Sequence, residues 1–248
     1  MSINTISVVM IAKNAEETIE ECLDALVRFS EVVLYLNHST DQTEEKAKKF
    51  PNVKIVSGAF LGFGETKNAA ATFAKNNWIL SLDTDEILNN TLIDEISNID
   101  ILETKRVYWL KRENYFLGHA TQSKDTIVRI YNRTITQFNA NKVHEKIVVP
   151  FQVESLTLQT PFKHLNITNI NQTLTKIIHY TDLGAKEKKT CFFGTVIAKS
   201  LFAFFKTYIL QGNILKGWVG YVLAVNSANK RHYKYVKQYI HCQEEKKK

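Results

Sequence analysis

Acidic residues are missing from one long stretch of this chain. Between Thr190 and Gln243 there is no Asp or Glu, while Lys199, Lys206, Lys216, Lys230, Arg231, Lys234 and Lys237 all fall there. The net charge of +7 and the pI near 9.1 therefore belong to the C-terminal part. Such an excess calls for an anionic partner: nucleic acid, a membrane surface or a phosphorylated substrate. Cysteine is scarce too, with Cys22, Cys191 and Cys242 odd in number, far apart and without CxxC or Cys/His ligand spacing. That spacing argues against a zinc site and for a reducing compartment. No unbroken run reaches the roughly 18 apolar residues that a spanning helix needs. The first apolar run, Ile6 to Ala12, meets Lys13 and Asn14 too early for a signal peptide. The expected location is the cytoplasm, where triplets such as Asn166-Ile167-Thr168 are chance matches to a glycosylation signal. Internal repeats are absent, as is low complexity beyond the terminal lysines.

What is present reads as a globular α/β chain. At 248 residues, 44% hydrophobic and 23% charged, it can bury one good core and a small appendage. Ile6 to Ile11 is nearly all apolar and β-branched, which suits a strand covered on both faces. Ile19, Cys22, Leu23, Leu26 and Val27 then recur at helical spacing, with glutamates toward the N-terminal turns. A second strand is expected over Val32 to Leu36, then caps at Ser39-Thr40-Asp41 and a helix to about Phe50. A third strand follows over Val53 to Val56, a helix over Glu65 to Lys75, and a fourth strand over Trp78 to Leu82. Four strand-helix alternations before residue 85 predict a doubly wound parallel sheet. Thr91 to Ile99 reads as a helix, Arg106 to Phe116 and Thr126 to Tyr131 as mixed or antiparallel strands, and the chain from about Gln172 as helical. A boundary near Gly184 would separate a catalytic domain, 1–184, from a helical extension, 185–248.

Ligands of open α/β sheets bind beyond the carboxyl ends of the strands, and those ends are polar here. They are Lys13-Asn14-Ala15-Glu16, Asn37-His38-Ser39-Thr40-Asp41 and Asp83-Thr84-Asp85-Glu86. Three carboxylates within four residues repel one another unless a cation neutralises them, and a hard divalent ion such as Mg²⁺ or Mn²⁺ suits oxygen ligands. Two carboxylates two apart on an extended segment project to one side. Leu61-Gly62-Phe63-Gly64-Glu65-Thr66-Lys67-Asn68 adds a glycine-rich approach to a helix carrying Lys67, where backbone N–H groups and a cation can hold phosphate. A bland alternative exists for each: a solvated acidic turn, and glycines that merely shape a loop.

Taken together, Ser7-Val8-Val9-Met10-Ile11 with Lys13-Asn14, Asn37 to Asp41, Gly62-Phe63-Gly64 with Lys67-Asn68-Ala69, and Leu82-Asp83-Thr84-Asp85-Glu86 resemble the family 2 glycosyltransferases of GT-A fold. Within them the chain looks most like the bacterial lipopolysaccharide-core β-glucosyltransferase branch. Tyr115-Phe116-Leu117-Gly118, Arg129-Ile130-Tyr131, Val143-His144-Glu145, His164, Lys176, Tyr180 and stretches of the tail continue the likeness, so it covers nearly the whole chain. The resemblance implies a GT-A catalytic domain and an inverting, metal-dependent transfer from a nucleotide-diphosphate sugar, with a UDP-sugar favoured. Asp85 would bind Mg²⁺ or Mn²⁺, and Asp83 would support it or contact the ribose. Lys13, Asn14, Glu16, Asn37, Lys67 and Thr84 would line the nucleotide-sugar pocket. Glu145 would be the base on the acceptor hydroxyl, with His144 orienting it or binding acceptor, and Arg129 would meet the diphosphate or an acceptor phosphate. His164 and His179 read instead as core or hydrogen-bonded histidines. The pattern departs at Leu36-Asn37, where many members carry an Asp that reads the nucleobase; Asn37 can still hydrogen-bond a base edge.

The basic tail mixes aromatic and aliphatic residues with cations, which suits a helix pair lying in the membrane interface on the cytoplasmic side of the inner membrane. A lipid-linked glycan acceptor fits that placement, polyprenyl phosphate being the nearest rival. A nucleotidyltransferase would carry a glycine-rich basic loop after the first strand, which Lys13 to Glu16 lacks. A nucleic-acid-binding module is disfavoured because its cations would sit among large apolar residues and its acidic motif would face phosphate.

Overall fold

A computed structural model describes residues 2–141, 145–187 and 190–246. Strands β1 (Ile6–Ala12), β2 (Val32–Leu36), β3 (Val53–Ser57) and β4 (Trp78–Asp83) alternate with helices α1 (Ile19–Asp24), α2 (Thr43–Ala47) and α3 (Phe63–Ala71). β1 pairs in parallel with β2 and β4, and β2 with β3, as the alternation predicts. Successive residues of a strand face opposite sides, and the core divides accordingly. Val8 and Met10 pack with Cys22, Leu23, Leu26 and Ala47 on one face. Val9 packs with Ile79, Ala70, Ala71 and Tyr131 on the other. A strand buried on both faces is apolar along most of its length, which explains the runs that mark β1, β2 and β4.

After β5 (Glu86–Ile87) and α4 (Asn90–Ser97), the chain adds β6 (Arg106–Phe116), β7 (His119–Asn132), β8 (Glu154–Thr157) and β9 (Phe162–Ile167). The sheet runs β3-β2-β1-β4-β7-β6-β9-β5, with β8 beside β6. β7 lies antiparallel to β4, and β9 antiparallel to β5. The strands expected over 106–116 and 126–131 are thus present. The two-residue β5 and the short β8 and β9 carry too few residues to show a period.

Two compact units divide the chain: residues 1–113 with 124–165, and residues 114–123 with 166–248. Gly184, the expected boundary, lies inside α5 (Ile170–Glu187). The second unit also holds α6 (Phe193–Phe205), a π-helical turn (Lys206–Leu210), a 3-10 turn (Asn213–Lys216) and α7 (Gly217–Lys246).

The cysteine reading is corrected here. α7 returns along α6, so residues separated by 51 positions meet, and Cys191 and Cys242 form a disulfide with Cα atoms 5.5 Å apart. Cysteine usage therefore no longer speaks for a reducing compartment; Cys22 alone is a free, buried thiol. A crosslink over a loop of that length restricts the unfolded chain, so its reduction, or Cys242→Ser, lowers stability by about 2–4 kcal/mol. Thermal unfolding of oxidised and reduced protein reads this as a drop in Tm on reduction. Phe193–Leu210, interrupted by Lys199 and Lys206, is a helical stretch of 18 residues with mean hydropathy 1.3, long and apolar enough by length and composition to cross a bilayer.

Candidate functional site

The ends of β1 and β2 are tied to each other. Asn14, in the left-handed region at φ 52°, donates its N–H to Ser39 Oγ at 3.1 Å and accepts from the Thr40 N–H at 2.9 Å. The Glu16 carboxylate accepts from the Gln42 N–H at 3.0 Å, and Asp41 accepts from the Glu16 N–H at 3.0 Å. Asn14 and Glu16 therefore spend side-chain atoms on shaping this rim. Lys13 is exposed and Asn37 half-buried beside them.

The glycine-rich approach to α3 has a structural cause of its own. Gly62 holds φ 111°, a conformation that side chains resist. A Cβ on Gly64 would come within 2.0 Å of the Asn139 backbone oxygen, so only glycine lets the helix approach the segment leading to Glu145. Asn68, one helical turn on, donates to the Phe138 carbonyl at 2.9 Å and accepts the Phe138 N–H at 2.9 Å. Lys67 lies on that same face. Gly64, Lys67 and Asn68 thus form one docking stripe that brings Glu145 against the sheet.

Lys67 is 3% exposed, and its Nζ lies 2.8 Å from Asp83 Oδ1 and 3.1 Å from Glu145 Oε1. Arg129 on β7, buried as well, places NH2 2.8 Å from Asp83 Oδ2 and also bonds Glu86 Oε1. Arg112 on β6 approaches Glu86 at 3.3 Å and Asp125 at 2.5 Å. Burial works against an ionised Asp83, but the adjacent Lys67 and Arg129 outweigh it and hold the carboxyl far below the usual carboxylate range. For Glu86, wholly buried, burial wins over Arg129 and pushes the carboxyl up. Burial lowers the Arg129 pKa, yet Glu86 and Asp83 more than restore it, so the guanidinium stays charged. The Cys22 thiol, reaching the Glu86 carbonyl at 3.0 Å, is pushed up by burial and by the neighbouring carboxylates.

Asp85 stands apart from this network. Its side chain is half-buried, and Oδ2 lies 3.4 Å from His164 Nε2. Pairing of β5 with β9 sets Glu86 opposite His164, and the Asp85 backbone carbonyl accepts the Leu165 N–H at 2.8 Å. No group of three or more His, Cys, Asp or Glu side chains able to hold a metal occurs among the described residues. A carboxylate and an imidazole nevertheless make a donor set for a divalent ion that takes its other ligands from substrate phosphate and water. Among the described residues, the carboxylates Asp83, Asp85, Asp125 and Glu145 outnumber the Lys67, Arg112 and Arg129 cations paired within the cluster. The excess negative charge suits a divalent cation.

The structure thus brings together Asp83, Lys67, Arg129 and Glu145, and places Asp85 with His164. Thr84 is half-buried between the two aspartates. His144 lies outside the described residues. Arg129 organises the acidic cluster from a buried position. His164, read from sequence as a core or hydrogen-bonded histidine, lies beside Asp85; no local pattern places it there, because only strand register sets it opposite the motif.

Residues 7–165 match the profile of the family described as Glycosyl transferase family 2. An uncharacterized glycosyltransferase of Rickettsia bellii is 28% identical over 238 residues, covering 88% of this chain and 80% of that protein. The lipopolysaccharide core biosynthesis glycosyltransferase LpsC of Rhizobium meliloti is 21% identical, covering 90% of this chain and 87% of that protein. A crystal structure of S. aureus TarS residues 1–349 in complex with UDP-GlcNAc aligns with a TM-score of 0.51 at 16% identity, over 97% of this chain and 92% of that one. At that identity the likeness bears on fold alone, and the fold is the expected Rossmann-like GT-A type with a C-terminal helix.

Proposed function

The chain belongs to glycosyl transferase family 2, and from that premise we propose that it moves a sugar, with inversion, from a nucleotide-diphosphate sugar to a cell-envelope glycan acceptor, the lipopolysaccharide or lipooligosaccharide core. The observation that carries this reading is the Lys67 bridge, which joins the Asp83 carboxylate of the motif to Glu145. Donor-side and acceptor-side chemistry then share one cation. The distant likeness to LpsC supports the acceptor class, and the UDP-GlcNAc bound by TarS supports a UDP-sugar donor. Cytoplasmic synthesis at the inner membrane and a lipid-linked acceptor fit the basic, apolar tail.

Asp85 and His164 would hold Mg²⁺ or Mn²⁺. Bound there, the ion would neutralise charge developing on the leaving diphosphate. Lys13, Asn37 and Thr84 line the rim where the nucleotide would rest, while Asn14 and Glu16 hold that rim in shape. Glu145 takes the proton of the acceptor hydroxyl as its oxygen bonds the anomeric carbon and the nucleoside diphosphate departs. Asp83, fixed by two cations, keeps Lys67 and Arg129 charged and in place. With His144 flanking the base, its part is to orient Glu145 or to bind the acceptor.

The test is a panel of nucleotide sugars followed by saturation-transfer binding, with Mn²⁺, with Mg²⁺ and after chelation. At least one UDP-sugar binds with metal present, and chelation or Asp85→Ala weakens it by about tenfold or more, as loss of a metal ligand does. His164→Ala acts in the same direction. If no nucleotide sugar binds under any condition and Asp85→Ala changes nothing, the reading fails.

A further inference from the structure

α6 and α7 pack side by side and antiparallel along their length. Phe193 meets the Tyr239 ring at 5.4 Å, Ser200 Oγ lies 3.5 Å from His232 Nδ1, and Thr207 donates to Ser227 Oγ at 2.9 Å. The hairpin is closed at one end by the Cys191–Cys242 disulfide. At the other, Gly212 and Gly217 turn the chain with φ 67° and 58°. There Asn213, buried, donates to the Thr207 carbonyl at 2.8 Å, and a Cβ on Gly220 would strike its backbone oxygen. The turn is therefore a built structure.

Its outer surface is not what a water-facing hairpin presents. Leu201 is 67% exposed, Leu210 63%, Leu215 90% and Trp218 60%. On α6 the exposed Phe193, Ile197, Leu201 and Phe205 follow one another at i, i+4 spacing, away from buried Val196 and Ala203. Lys206 follows Phe205 at the end of that stripe, Lys199 is exposed on another side of α6, and the whole hairpin lacks acidic residues as far as Gln243. Contiguous exposed apolar surface marks a contact site. The hairpin's cations, with no acidic residue among them, point to an anionic partner surface, and apolar side chains in the company of long cations fit the headgroup boundary of a bilayer.

The apolar stretch Phe193–Leu210 could cross a membrane by length alone. Its partner could not follow. α7 packs along it while carrying Lys230, Arg231, Lys234 and Lys237, and burying such charges in hydrocarbon is costly. We propose that the hairpin is a monotopic anchor, laying the α6 stripe and the turn around Leu210 and Leu215 into one leaflet of a membrane rich in anionic lipid, without spanning it. The inference deepens the proposed reading, since it supplies the surface that would carry a lipid-linked acceptor.

The full chain is floated with vesicles of phosphatidylcholine alone and with vesicles containing phosphatidylglycerol. It rises with the anionic vesicles, releases as salt increases, and stays with the pellet when only neutral lipid is offered. Leu210→Asp combined with Leu215→Asp lowers the bound fraction by about tenfold or more, since both side chains lose their burial in lipid. Lys199→Glu with Lys206→Glu does the same on anionic vesicles, and circular dichroism checks that each variant is folded. Nucleotide-sugar binding, measured without vesicles on the same preparations, is unchanged, which separates failure of the anchor from failure of the transferase reading. Three outcomes overturn the proposal: no flotation with anionic vesicles, a C-terminus cleaved by protease sealed inside the vesicles, or a concentration-dependent dimer abolished by the same leucine substitutions.

Discussion

Glu145→Gln stops sugar transfer and leaves nucleotide-sugar binding in place. The substitution keeps the shape of the side chain and an oxygen that can still accept from Lys67, which stays bound to Asp83 at 2.8 Å. The donor side of the cluster is therefore preserved. What is lost is a group able to take the acceptor proton, and removing a general base costs about 10²- to 10⁴-fold in rate. Steady-state transfer to an acceptor glycan, measured beside donor affinity by calorimetry, separates the two effects: kcat falls by that factor while the donor Kd changes little. Loss of donor binding with a rate that otherwise persists would move Glu145 from the base to the donor pocket.

The parallel half of the fold is legible because three of its strands, β1, β2 and β4, are buried on both faces. Burial of that kind forces apolar runs such as Val32 to Leu36, all of them buried. Polar ends on such strands then stand out, and that is why Asp83 to Glu86 and Asn37 to Asp41 were visible as candidates. Local sequence does not encode register. His164 becomes a partner of Asp85 only because a two-residue strand pairs with β9, and no periodicity survives in so short an element. The cysteines show the same limit, for their meeting depends on a helix turning back across 51 positions.

The glycine-rich segment stands out in sequence as a phosphate-holding helix start or a shaped loop, and in the structure Gly64 and Asn68 have a packing duty, docking the segment that bears Glu145. Arg129 followed a similar course. Expected at a phosphate, it is buried against Asp83 and Glu86, where it offsets carboxylates that could not otherwise stay ionised together. Arg129 thus acts on the site through its carboxylates.

Lys67→Met should be the most damaging single change in the cluster. The lysine ammonium is buried and serves Asp83 and Glu145 at once, so its removal leaves two carboxylates short of a partner inside the protein. Breaking a fully buried pair from one side costs about 3–5 kcal/mol; with the Asp83 side chain 36% and the Glu145 side chain 19% exposed, water hydrates part of the stranded charge and the cost falls to about 1–3 kcal/mol. Asp83→Asn is milder, since Lys67 keeps Glu145 and Arg129 keeps Glu86. The double variant tells whether the bridge is one unit. With Asp83 already neutral, loss of Lys67 strands only Glu145, so the combined cost falls below the sum of the single costs by about 0.5–3 kcal/mol, the range for residues in one network. Chemical denaturation of the four proteins measures the difference. Additive costs would mean that Lys67 and Asp83 act independently, and the bridge from the acidic motif to Glu145 would lose its place as the link between donor and acceptor chemistry.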